Sequence, residues 1–358
     1  MEAIHVRAAI SDYDVIVGHN VLTRFSDFVA AFDPGGELVV VTDDEVDRHF
    51  QEFPQLPRSA QRVVLRHGEH LKTFAEAESL ISQLAEWNVG RDGMIVGLGG
   101  GGIGDLAGFV ASIYLRGIPW AVVPTTLLSQ VDSAVGGKVA VNLPVGKNLV
   151  GAFYPPRLVL CDIALLSELP DKEFISGLGE VIKTALIGDP QLFEMLEDQL
   201  DNVLSRDPKV LENMVTACAK VKADVVSRDE RDRGIRAMLN FGHTIAHALE
   251  GAEGFEALPH GIAVLCGILV TLPLSKEFCG LSDAIINRIQ QLIQRLPIDN
   301  PESLPPFEAV KTFIAHDKKT RKNEAQWVLL KDIGVPISNV TVPMELVQTA
   351  YSTLRGNQ

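Results

Sequence analysis

The stretch that most limits the fold runs from Met94 to Asp105. An apolar segment, Met94-Ile-Val-Gly-Leu98, meets four consecutive glycines, Gly99 to Gly102, and Ile103-Gly104-Asp105 then leads into a helical pattern from about Asp105. Strand, glycines and helix in that order form the corner of a parallel α/β layer. The free N–H groups and positive dipole end of such a helix suit a phosphate. A tight turn needing positive φ is the other use of glycine here, but four in a row exceed what a turn requires. The spacing departs from the usual dinucleotide fingerprint, and no Gly-Lys-Ser/Thr follows, so this is not a Walker loop.

The neighbouring segments keep the same rhythm. Residues 3–17 predict two strands turning at Ser11-Asp12, and Leu38–Val41 and Arg62–Leu65 predict two more. Thr73 and Glu76 form a capping box ahead of a helix carrying Phe74, Leu80, Ile81 and Leu84. This β-α-β alternation predicts an α/β N-terminal domain with a Rossmann-like parallel sheet. Pro155-Pro156, a strand to Asp162 and Leu169-Pro170-Asp171 mark a boundary, after which the pattern becomes mainly α-helical. The chain of 358 residues therefore divides into an α/β domain over 1–165 and a mainly helical domain over 166–358. Predicted helices start near Lys172, at Asp189-Pro190 as N-cap and first turn, and near Lys209. Further helices cover 285–296, a segment ending at His316, and 344–354, with a strand at 326–330.

The second focus is Arg236 to His260. His243 and His247 are spaced to share a helix face, and His260 lies beyond a Gly-rich bend from which it can fold back. Neutral imidazoles with a carboxylate from elsewhere make a zinc site; satisfied core histidines are the alternative. Clustering of three of the nine histidines favours a site. The Gly-rich stretch with Asp132, Lys138, Lys147 and Asn148 between apolar segments reads as a site loop forming a cleft wall. Glu180 and Lys183 share one helix face, Lys222 lies near the end of another helix, and Asp229–Arg236 is a charge run.

A net charge of −14 argues against a general nucleic-acid or anionic-membrane binder. Cys161, Cys218, Cys266 and Cys279 show no paired spacing, which predicts buried thiols in a reducing compartment. The opening Met1-Glu-Ala-Ile-His-Val-Arg7 has no apolar signal region, and the apolar run Gly261–Leu274 is too short to span a bilayer. Both point to a cytoplasmic protein.

Taken together, several motifs resemble the 3-dehydroquinate synthase family of sugar phosphate cyclases. They are the glycine loop through Phe109, Tyr114-Leu-Arg116-Gly, Val-Pro-Thr125-Thr126, Gln130-Val-Asp132, Gly-Gly-Lys138, Gly146-Lys147-Asn148 and Gly179-Glu180-Val-Ile-Lys183. Asn240-Phe-Gly-His243-Thr, His247-Ala-Leu-Glu250, His260-Gly and Asp317-Lys-Lys complete the set in family order. The resemblance implies zinc or cobalt on Glu180, His243 and His260. It implies NAD on Gly101, Gly102, Ile103, Gly104 and Asp105, with Asp43, Glu69, Lys72, Thr125, Thr126, Lys138 and Lys147. Substrate would meet Arg116, Asp132, Lys138, Asn148, Lys183, Lys222, Arg236, Asn240, His247 and one of Lys318 or Lys319.

The implied reaction takes 3-deoxy-D-arabino-heptulosonate 7-phosphate to 3-dehydroquinate through transient oxidation, phosphate elimination, re-reduction and aldol closure. It would run in a cleft between the two domains of a homodimer. Sister cyclases making 2-deoxy-scyllo-inosose or 2-epi-5-epi-valiolone, metal-dependent polyol dehydrogenases and a non-catalytic NAD-binding relative are the alternatives. Three positions depart from the family pattern: Ile262 stands where the family has Glu, Asp232 is one methylene shorter than the family's Glu, and Asp43-Asp44-Glu45 replaces Asp-x-Asn.

Overall fold

The structure, a computed structural model, describes residues 1–30, 32, 35–50, 60–253, 258–298, 304–316 and 326–356. The first part carries β1 (Glu2–Val6), β2 (Tyr13–Gly18), α1 (Phe25–Ala30), β3 (Leu38–Asp43), α2 (Asp44–Phe50), β4 (Gln61–Leu65), α3 (Phe74–Glu86), β5 (Met94–Gly99), α4 (Gly101–Ile113), β6 (Trp120–Pro124), β7 (Lys138–Leu143), β8 (Gly146–Phe153) and β9 (Leu158–Asp162). Helices α5 (Asp171–Gly188), α6 (Pro190–Leu204), α7 (Pro208–Arg228), α8 (His243–Glu253), α9 (His260–Cys279), α10 (Asp283–Gln294) and α11 (Phe307–His316) follow. β10 (Gln326–Asp332), β11 (Val335–Thr341) and α12 (Met344–Gly356) end the chain.

The chain forms two compact units, Met1–Leu169 with Arg206–Arg231, and Pro170–Ser205 with Asp232–Gln358. Residues 206–231 thus leave the helical region in which the sequence pattern placed them. The cause is long-range packing: α7 lies against β1 and β2, and Arg206 donates to the carbonyls of Ser167 and Leu169 at 2.6 Å each. An amphipathic period shows that a helix buries one face, but not against which neighbour.

The first unit is built on a seven-stranded sheet, ordered β1-β2-β9-β6-β5-β3-β4. Every pairing is parallel except the edge pair β1–β2. Val40, Val96, Leu98, Ala121, Val123 and Leu160 bury one face with Phe25 and Val29 of α1. α4 covers the other face, where Gly108 leaves no room for a Cβ and one at Gly97 would lie 3.1 Å from the Ala107 Cβ. Strand order reverses between β3 and β5, because β3 connects onward to β4 on one side and β5 to β6 on the other. In open α/β sheets the carboxyl ends at such a reversal form the ligand crevice.

α4 begins at Gly101, four residues earlier than the sequence pattern indicated, because the glycines wind into its first turn. The stretch expected to be a loop around Lys138–Asn148 is instead the β7–β8 hairpin. β11 was not expected either; Gly334, at φ 80°, turns the chain into it.

In the second unit α9 is the central helix and packs against α5, α8, α10, α12 and β10. It runs 20 residues and is apolar enough by length and composition to cross a membrane, longer than the run Gly261–Leu274 suggested. Ala263, Val264, Ile268, Val270 and Leu272 are buried in the core of this unit. Trp327, Tyr351, Phe307 and Ile314 close the same core.

Candidate active site

In the first unit the expected nucleotide residues gather at one sheet edge. Asp43 ends β3 and Gly99 ends β5 beside it, since Thr42 pairs with Leu98. Thr125 follows β6, and its N–H donates to the Gly99 carbonyl at 3.0 Å. Gly100 is the N-cap of α4 and supplies no side-chain cap, so the first N–H groups of the helix stay available. A Cβ at Gly102 would meet nothing closer than Leu71 Cδ1 at 3.6 Å. That open backbone fits the diphosphate of a dinucleotide. Asp43 is buried; its Oδ1 accepts from the N–H groups of Glu45 and Val46 at 3.0 Å, and its Oδ2 faces His67 Nδ1 at 3.4 Å.

A polar cluster centred on the buried Lys72 stands beside the glycine turn. Lys72 Nζ pairs with Asp105 Oδ2 at 2.7 Å and donates to Asn148 Oδ1 at 2.7 Å. Glu69 Oε1 lies 3.4 Å from the same ammonium and accepts from Asn142 Nδ2 at 2.8 Å. Burial holds the Asp105 carboxyl above its ordinary pKa although Lys72 opposes the shift. Asn142 therefore belongs to this set, which sequence reasoning missed; only its place in the Asn142–Asn148 hairpin turn hinted at it. Elsewhere in the unit, Lys222 of α7 donates to Asp132 Oδ1 at 2.6 Å and to the Asp132 carbonyl. Lys138 opens β7 and is exposed, and Lys147 lies in the hairpin, half-buried.

Arg116 does not join this edge. It follows α4 at φ 69° and precedes β6, so the whole helix separates it from the glycine turn. Thirteen helical residues span about 20 Å.

In the second unit, Glu180 of α5, His243 of α8 and His260 of α9 place one ligand atom each within 4.8 Å of the others. Glu180 Oε1 lies 3.3 Å from His243 Nε2 and 3.2 Å from His260 Nε2. Ligands about 2.0–2.1 Å from a tetrahedral zinc stand roughly 3.4 Å apart, so the set fits a divalent metal. The far nitrogens agree. His243 Nδ1 lies 3.1 Å from the Phe241 carbonyl, which can only accept, so Nδ1 carries the proton and Nε2 is left as a donor to metal. His260 Nδ1 lies 3.1 Å from Glu250 Oε1.

Charge also favours a cation there. Burial pulls His260 down, yet hydrogen bonds to Glu180 and Glu250 carry its pKa up to about 10. Burial lowers His243, with the Lys183 charge also opposing protonation. Burial acts against the Glu180 anion, but Lys183 and His243 hold its pKa well below the ordinary value. Lys183 is itself buried and paired with Glu180 Oε2.

Backbone contact brings the three ligands together. Each has a glycine neighbour. A Cβ on Gly261 would meet the Ser176 carbonyl oxygen at 1.6 Å, one on Gly179 the Gly261 carbonyl oxygen at 2.2 Å, and one on Gly242 the Val264 carbonyl oxygen at 2.9 Å. Gly242 also needs φ 78°. α5, α8 and α9 thus touch backbone to backbone beside the ligands they carry. The exposed His247 ring lies 5.3 Å from the His243 ring and 6.3 Å from the His260 ring. Arg236 is buried just upstream, and Asn240 Nδ2 donates to the Ala237 carbonyl at 3.0 Å. Lys318 and Lys319 lie outside the described residues.

Comparison with known proteins identifies the family. Residues 62–176 match the family model for the 3-dehydroquinate synthase N-terminal region, and residues 177–320 the one for the C-terminal region. The chain belongs to the 3-dehydroquinate synthase family. The 3-dehydroquinate synthase of Methylococcus capsulatus is 40% identical over 97% of this chain and 98% of its own length. That of Shewanella loihica is 38% identical over 93% and 94%. A 2-deoxy-scyllo-inosose synthase, solved with carbaglucose-6-phosphate, NAD+ and Co2+, aligns over 99% of this chain and all of its own, with TM-score 0.88 and 27% identity. The 2-epi-5-epi-valiolone synthase of Streptomyces hygroscopicus, solved with NAD+ and Zn2+, shares the fold at TM-score 0.86 and 24% identity, over 99% of both chains. The protein is accordingly a carbon–oxygen lyase of the shikimate pathway.

Proposed function

We propose that this chain converts 3-deoxy-D-arabino-heptulosonate 7-phosphate to 3-dehydroquinate and phosphate, with Glu180, His243 and His260 holding zinc or cobalt. The observation that carries the site assignment is the pair of imidazole Nε2 atoms turned on Glu180 Oε1. The NAD+ and Co2+ of the 2-deoxy-scyllo-inosose synthase support the same two cofactors here. When bound, NAD accepts and returns the hydride, while the metal acts as Lewis acid on the substrate hydroxyls.

The chain's own residues divide the remaining work. Asp43, Glu69, Lys72, Gly101–Asp105, Thr125, Thr126, Lys138 and Lys147 hold NAD; Lys72 and Asp105, already paired, keep the glycine turn in place. Lys138, Lys183, Lys222 and Arg236 answer the substrate's phosphate and carboxylate. Asp132, Asn148 and Asn240 orient its hydroxyls. His247, exposed beside two of the metal ligands, carries the proton. The enzyme works in the cytoplasm.

Arg116 stands at the sheet edge opposite the nucleotide residues of its own unit. A homodimer gives it a place: it serves the partner's substrate. Mixing Arg116→Ala with His243→Ala protein, each nearly inactive alone, restores activity in mixed dimers. Two inactive parents giving an inactive mixture would remove that assignment.

The direct test supplies purified protein with the heptulosonate phosphate, NAD and Zn2+. The expected result is phosphate release with dehydroquinate as the carbocyclic product, lost on chelation. Protein that binds NAD and metal but releases no phosphate would turn the reading to a sister cyclase, for which other sugar phosphates are the screen.

A further inference from the structure

Ile262 departs from the pattern that the family resemblance implies, and the structure shows where that position lies. Ile262 is two residues beyond His260 on α9, roughly 200° around the helix. It is buried and lines an apolar groove of about 940 Å³ between α9, α10 and α12. It has no role at the His260 ring. The carboxylate on that ring comes from α8: Glu250 Oε1, 3.1 Å from His260 Nδ1, on a side chain that is itself buried. Glu250 is seven residues beyond His243, two helical turns along the same face. One face of α8 therefore carries a ligand, the exposed His247 and the group that holds the second ligand's ring.

We propose that Glu250 is a positioning residue for the metal. It fixes His260 in the Nδ1–H form, so that Nε2 is turned towards Glu180 Oε1. The two histidines are held differently: His243 by a neutral backbone carbonyl that no substitution removes, His260 by a side chain. A carboxylate on the distal nitrogen also makes an imidazole a stronger donor, so His260 binds the metal the more tightly of the two. The inference rests on the assignment of Glu180, His243 and His260 as ligands.

The test is metal affinity of the full-length protein, by competition with a chromophoric chelator, together with the visible spectrum of the Co2+ form. Glu250→Ala is expected to weaken zinc binding about 10–100-fold and to change the Co2+ spectrum. Glu250→Gln keeps an acceptor oxygen and is expected to lose less than about tenfold. Glu250→Asp, whose oxygens draw back by about 1.5 Å, should behave like the alanine variant and serves if that variant does not fold. NAD affinity, set by the other unit, should stay at the parental value in all three. An alanine or aspartate variant within about twofold of the parent, or a glutamine variant as weak as alanine, overturns the proposal. His243→Ala separates the two levels. If it too keeps parental affinity, the ligand assignment fails; if it alone loses metal, only the role of Glu250 fails.

Discussion

The metal cluster and the nucleotide edge are built from opposite materials. At the candidate metal cluster the proposed ligand atoms belong to side chains, and glycines serve only to bring their helices together. At the proposed nucleotide edge the atoms offered to a ligand are backbone N–H groups, and the glycines themselves would form the site. A side-chain site fails when one residue is changed, because a missing donor has no substitute. A backbone site keeps its donors through substitution and fails by steric obstruction. Glycine thus has two meanings in this chain, and a Cβ placed at each position tells them apart.

The largest effect should come from removing a donor. His243→Ala is expected to lose bound metal, measured by elemental analysis, and to lower turnover on the order of 10³-fold, since the metal's Lewis-acid contribution is several kcal/mol. Turnover near the parental rate would break the comparison at its first term.

Next come the packing glycines. Gly261→Ala forces a Cβ into the Ser176 carbonyl, so α9 must move away from α5. The expected cost is about 3 kcal/mol in urea unfolding, at the upper end for overpacking, with metal affinity falling as Glu180 and His260 separate. A variant as stable as the parent would mean that the helices do not depend on this contact. The ligand glycines should behave in the opposite way. Gly102→Ala has room for its methyl and improves helix propensity, so stability should hold or rise by up to ~1 kcal/mol. Its KM for NAD should nevertheless rise roughly tenfold, about 1.4 kcal/mol of lost binding. Unchanged NAD binding would show that the diphosphate does not rest on this turn.

The same contrast explains what the sequence revealed. Local signals were legible: Thr73 accepts from the Glu76 N–H, Asp189 caps α6 ahead of Pro190, and the His243–His247 spacing does fall on a helix. The histidine clustering was legible from spacing, but the carboxylate was not: Glu180 entered through the family resemblance, and His247 stands outside the group of three possible ligands. What stayed hidden depends on distant partners. The β7–β8 hairpin alternates buried Val139 and Val141 with outward residues, but its Gly and Lys content reads as a loop. The membership of α7 in the first unit and the Gly179–Gly261 contact join segments far apart in sequence, and no local pattern encodes them; Glu250 is ten residues from His260, but the bend between α8 and α9 hides that pairing from a helical period. Asn142 was hidden for the same reason, since its partners Glu69 and Lys72 come from before β5.

The smallest predicted effect tests whether the metal cluster is held as firmly as its backbone contacts imply. Cys266 lies on α9, two turns from His260 and buried, and burial pushes its thiol up to about 12. Cys266 borders the groove beside α9, but a group raised that far carries almost no thiolate at pH 8, so it reacts slowly while α9 stays folded. Cys161 and Cys218 are buried as well, whereas Cys279 at the far end of α9 is partly exposed. A thiol reagent at pH 8 should therefore modify Cys279 and leave Cys266 untouched in native protein, with bound metal making no difference to Cys266. Rapid labelling of Cys266 that metal suppresses would show α9 opening in the metal-free protein. The cluster would then be completed by the ion, and the contrast between a pre-built side-chain site and an open backbone site would narrow to a difference in ligand order.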